Sequence, residues 1–72
     1  MMEKARNTMI ARCHLKESET VRQWIVPRCP WCGKRHVHGA GRIEDNPLDY
    51  LGHRTAHCHD GSFHDYVLVA ID

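Results

Sequence analysis

The chain has 72 residues, 42% hydrophobic and 26% charged, with ten Lys and Arg against nine Asp and Glu for a formal net charge of +1. A chain of that length holds one domain, residues 1–72, whose core buries only about 60% of the unfolded surface and leaves marginal stability on its own. No run approaches the roughly 20 apolar residues of a membrane helix, and the near-neutral balance argues against a broadly polybasic surface.

The first element, residues 1–19, is ambiguous: Met9, Ile10 and Leu15 suit either a strand or a short helix. Met1 to Arg12 mixes charges without an apolar stretch, so no secretory signal is expected and a reducing, cytoplasmic compartment fits best. Thr20 to Val26 is β-branched and aromatic and reads as a strand ending at Pro27. Then comes Cys29-Pro30-Trp31-Cys32-Gly33, two cysteines two residues apart around a proline, followed by a glycine. Pro30 presets one φ angle and Gly33 permits positive φ, so the segment can turn both sulfurs toward one point, as in a zinc knuckle. Arg35 to His38 continues as a short extended piece expected to stop at Gly39-Ala40-Gly41. Residues 39–52 read as a loop in which Asn46 caps one helical turn begun by Pro47. His53 to Cys58 returns the chain to the knuckle, and Phe63 to Ile71 is the clearest strand. The predicted fold is a small, metal-stabilised, mostly-β domain, a zinc-ribbon-like antiparallel sheet of three to four strands with a CPxCG knuckle.

Cys29 and Cys32 are the primary ligand candidates. Cys58 is the third, because it closes a loop of 25 intervening residues and no later cysteine exists. The fourth donor must then be a histidine, giving a Cys3His set typical of structural Zn2+. His36 and His38 lie two apart on one strand face, so either could turn to the knuckle, and His53 could be returned by a turn. The reading selects His38, with His57 as the alternative, although His57 neighbours Cys58 and adjacent side chains on a strand face opposite ways. His14, His59 and His64 read as solvated or hydrogen-bonded rings, and Cys13 as a small buried hydrophobe. Asp60 could orient His57 or His59 by hydrogen bonding.

Charge is unevenly distributed. Residues 21–43 carry five basic side chains (Arg22, Arg28, Lys34, Arg35, Arg42) and no acidic ones, whereas residues 44–72 carry six acids and only Arg54. The two halves could neutralise each other in the fold. Alternatively Trp31 at the knuckle tip, with Arg28, Lys34 and Arg35, forms a contact face for a protein or a nucleic acid, Trp31 serving as an apolar anchor or a stacking platform. The competing reading folds Trp31 back over the metal as core.

The pattern Cys29-Pro30-x-Cys32-Gly33-x-x-His36-x-His38-Gly39-Ala40-Gly41, then Gly52-His53-Arg54-x-Ala56-His57-Cys58 and Tyr66-Val67-Leu68, resembles small zinc-ribbon-like proteins of unassigned function from actinobacteria and their phages. The resemblance spans residues 29–69. It implies a zinc module with His36, His38 and His57 as recurrent positions, carries no reaction or substrate, and would make a phage-encoded member a binder of host machinery.

Two function classes follow. A structural-zinc binding module, with no small-molecule substrate and no membrane, is the primary expectation. The alternative is a metal-dependent hydrolase or nuclease built on His57, His59 and Asp60. A redox dithiol is disfavoured, because Gly33 to Gly39 makes a poor helix and no βαβ pattern surrounds the cysteines.

Overall fold

A computed structural model describes residues 9–71 of the chain. Five strands, β1 (Ile10–Glu17), β2 (Val21–Val26), β3 (His36–Arg42), β4 (Gly52–His57) and β5 (Phe63–Ala70), form one sheet in the order β3-β2-β1-β5-β4. A 3-10 helix, Pro47–Tyr50, separates β3 from β4. It starts as its sequence dictates: Asn46 is the N-cap, with its side chain accepting from the Leu48 amide, and Pro47 follows. Among the described residues no helix is long and apolar enough to cross a membrane.

The sheet departs from the expected ribbon in three respects. It has five strands rather than three to four, because Ile10–Glu17 is a full strand and not a helix; the rest of the ambiguous N-terminal stretch, before Met9, lies outside the described residues. It is also not wholly antiparallel. β1 pairs antiparallel with β2 but parallel with β5, Ile10 beside Val67 and Cys13 beside Ala70. Finally, Gly39-Ala40-Gly41 does not stop β3. The strand runs through it to Arg42 and shifts register against β2 between Val21 and Gln23. The glycines serve a bulge, with Gly41 at φ 86°. A Cβ there would sit 2.7 Å from Tyr50 Cε1 and 2.9 Å from the Cβ of Asp45.

Alternation places the core on one face. Ala11 and Cys13 of β1, Trp24 and Val26 of β2, Ala40 of β3, Ala56 of β4, and Tyr66 and Leu68 of β5 all turn inward. Small side chains dominate, so the sheet curls tightly and approaches a barrel whose open edges are β3 and β4. Arg54 of β4 reaches across that opening, its Nη1 3.5 Å from the Gly39 carbonyl. Trp24 occupies one end of the core, and its indole N–H donates to the Pro47 carbonyl at 2.9 Å, which ties down the 3-10 helix. At the other end stand Cys29 and Cys58, both buried.

Candidate metal centre

The centre is assembled from two turns and one strand end. After β2, Pro27 cannot continue the ladder, and the chain folds into the knuckle. The Cys29 amide donates to the Lys34 carbonyl at 2.8 Å, and the Gly33 amide donates to the Cys29 carbonyl at 2.8 Å. Gly33 takes φ 77°, the left-handed conformation that lets the chain reverse around the sulfurs. The Trp31 amide lies 3.3 Å from Cys29 Sγ and donates to it.

The second turn follows β4. The Cys58 amide donates to the Ser62 carbonyl at 2.9 Å and the Gly61 amide to the Cys58 carbonyl at 3.0 Å. Asp60 Oδ1 accepts from the Ser62 amide at 3.0 Å and from the Ser62 hydroxyl at 2.6 Å. Asp60 therefore braces the turn that presents Cys58 instead of orienting a histidine. Those hydrogen bonds hold its carboxyl below the usual range.

The strand contribution is His36, the first residue of β3. Its Nε2 is 3.3 Å from Cys32 Sγ. The donor atoms of Cys29, Cys32, His36 and Cys58 all lie within 4.8 Å of one another. A tetrahedral zinc with its usual bond lengths sets neighbouring donors roughly 3.5–4 Å apart, so small side-chain adjustments suffice to grip the ion. All three cysteines are free thiols. Three sulfurs and one imidazole match the donor preference of a structural zinc.

Electrostatics favours the same conclusion. Desolvation resists ionisation of Cys32, but hydrogen bonds from His36, the Lys34 backbone and the Cys58 and Cys29 thiols outweigh it and bring Cys32 to about 6. Cys58 is pushed up to about 12, by desolvation first and then by its hydrogen bonds to and the charges of Cys32 and Cys29. A thiolate therefore forms readily at Cys32, and ionisation of Cys58 is opposed until a cation compensates it.

His38 is not part of this set. It is one pleat further along the inner face of β3, with Nε2 hydrogen-bonded to the Tyr66 hydroxyl and its ring edge-on to Tyr66. Burial, with the neighbouring charges of Arg54, His36 and His57, lowers it to about 4, so it is a neutral partner for the phenol. The imidazole that meets the thiols is therefore that of His36 and not the expected His38, because the knuckle ends immediately before β3 and only the first inward residue of that strand reaches the thiols. The alternative, His57, faces outward opposite Cys58 and stacks on Phe63 at 4.5 Å, as strand alternation requires. His53 sits 3.4 Å from Asp65. Among the described residues, His57, His59 and Asp60 do not converge on a ligand set.

Tyr66, to which the sequence assigned no place at the centre, lies under it, 1% exposed. Burial and the Cys29 and Cys58 charges raise its phenol to about 12, so it remains a hydroxyl. The strand Phe63 to Ile71 that carries it was expected; nothing in the sequence marked its hydrogen bond.

The contact-face residues separate into two groups. Trp31 is 45% exposed and so is not core. Its indole N–H donates to the Asp65 carbonyl at 2.9 Å, and its ring stacks on His64 at 4.6 Å with planes 16° apart. Lys34 shares a cleft with Trp31 and His64, whereas Arg28 lines a different cleft. Arg35 is exposed. No family model, curated protein or solved structure matches this chain.

Proposed function

We propose that the chain is a binding module held in shape by one zinc ion at Cys29, Cys32, His36 and Cys58, and that it works by contacting a protein through the Trp31 face. The observation that carries this reading is the state of Trp31. A large aromatic ring is left half in water, yet is fixed by one hydrogen bond and one stacked ring. An immobilised exposed aromatic loses little conformational entropy on binding and makes an effective anchor. The zinc contributes by locking the knuckle that carries it.

A protein partner is favoured over nucleic acid because an acid stands beside the anchor. Asp60 lines the same cleft. A run of phosphates would meet its carboxylate. The resemblance to actinobacterial and phage proteins would make the partner a component of host machinery in the cytoplasm. The hydrolase alternative gains no support from a histidine that stacks on Phe63 and an aspartate committed to Ser62.

The test compares zinc-loaded wild type with a Trp31→Ala, Arg35→Glu variant as bait in a lysate of the native host, followed by affinity measurement on the captured partner. The variant should bind at least tenfold more weakly, about 1.4 kcal/mol. Unchanged affinity in a variant that still holds zinc would overturn the reading. A steep loss of binding with salt would reassign the partner to nucleic acid.

A further inference from the structure

A second concave surface takes no part in the Trp31 face. The parallel register of β1 and β5 sets Ile10 beside Val67 and Arg12 beside Val69 on the outer side of the sheet. Ile10, Val69 and Ile71 are 45%, 40% and 42% exposed, a contiguous apolar strip at the junction of the two strands. The strip runs into a cleft of about 530 Å³ on the back of the knuckle, lined by Ile10, Ile71, Pro27 and Pro30 together with Arg12 and Arg28. Among the described residues no acidic side chain lines it, and it shares no residue with the cleft beside Trp31. Among the described residues, neither Arg12 nor Arg28 forms an ion pair.

We propose that this cleft docks a segment of a protein partner that carries apolar anchors flanked by acidic side chains. The chemistry selects that occupant from both sides. Isoleucine and proline walls stabilise an apolar side chain by removing it from water. Two guanidinium groups beside them offer planar, paired donors that match carboxylates, and a weakly hydrated guanidinium loses less on partial burial than an ammonium. A free small molecule is a poorer fit. Such ligands bind where most of their surface is enclosed, and an open strip between two strands and a turn leaves them wet. A peptide chain can run along the strip and place successive residues on it. The proposal rests on the binding-module reading, and of that reading's residues the cleft takes in only the ligand Cys29.

The experiment titrates the zinc-loaded, isotope-labelled full chain with a doubly capped hexapeptide of two leucines flanked on each side by two aspartates, followed by amide chemical shifts. Saturable shifts should cluster at Ile10, Arg12, Arg28, Gly33 and Ile71. The same peptide with asparagine for aspartate should bind at least tenfold more weakly. So should the aspartate peptide toward an Arg12→Gln, Arg28→Gln variant that metal analysis shows to be zinc-loaded. Equal affinity for the asparagine peptide overturns the proposal, as does a shift map centred on Trp31 and His64. Absence of saturable shifts up to millimolar peptide also overturns it. Concentration-dependent shifts at the same residues without peptide would assign the cleft to a second copy and overturn the partner assignment. Because the Trp31→Ala, Arg35→Glu comparison leaves both cleft arginines in place, failure of one experiment is read separately from failure of the other.

Discussion

Replacing His36 and His38 one at a time by alanine separates the proposed metal donor from its neighbour two residues away. An apparent zinc free energy of about 10–16 kcal/mol, shared over four donors, assigns His36 about 2.5–4 kcal/mol, so His36→Ala should weaken zinc binding by about 10²–10³-fold. The core is small, and a loss of that size should carry the protein into unfolding once chelator competes for the ion. His38→Ala removes something different. It orphans the hydroxyl of Tyr66, a residue 1% exposed. That should cost about 1–3 kcal/mol of stability while leaving the zinc affinity near wild type. The assay is competition against a chromophoric chelator at neutral pH, with thermal unfolding of the zinc-loaded proteins alongside. Cobalt substitution gives an independent check, since the visible spectrum of a Cys3His site changes when imidazole is lost. If His38→Ala releases the metal and His36→Ala retains it, the register of β3 against the knuckle is wrong, and the placement of Tyr66 with it.

Cys58→Ser should abolish zinc retention and unfold the domain, read by metal analysis and circular dichroism, whereas Cys13→Ser should retain zinc. The Cys13 thiol is buried and already donates to the Val69 carbonyl, so a hydroxyl keeps a partner and the cost should be about 1–2 kcal/mol. Gly41→Ala should destabilise by about 1–3 kcal/mol, because the new methyl meets Tyr50 and Asp45 at a positive φ; a neutral result in thermal unfolding would remove the bulge. Hydrogen exchange should be slowest at Tyr66 to Val69, since β5 lies between β1 and β4; a mainly helical circular dichroism spectrum would refute the fold.

The sequence alone determined what short-range chemistry determines. Pro30 and Gly33 make the Cys29–Cys32 knuckle a local event, and Asn46-Pro47 starts its turn with its own side chain and ring. Val21–Val26 and Phe63–Ala70 announce themselves as strands because β-branched runs bounded by turn residues have few other stable forms. Strand alternation argued against His57, a neighbour of Cys58, but left it standing as the alternative. It could not separate His36 from His38, because residues two apart on a strand share a face and differ only by one pleat of about 6.6 Å along it. That choice fell to the tertiary structure: the knuckle closes onto Lys34, so His36 enters the thiol cluster, and β5 brings Tyr66 under His38 to take its ring. The parallel pairing of β1 with β5 was likewise beyond local reading, since it joins residues more than 50 positions apart and has no turn to signal it. The reach of Gly39 to Gly41 through a bulge was decided by its pairing with β2, which offers hydrogen bonds that a glycine-rich stretch by itself gives no reason to expect.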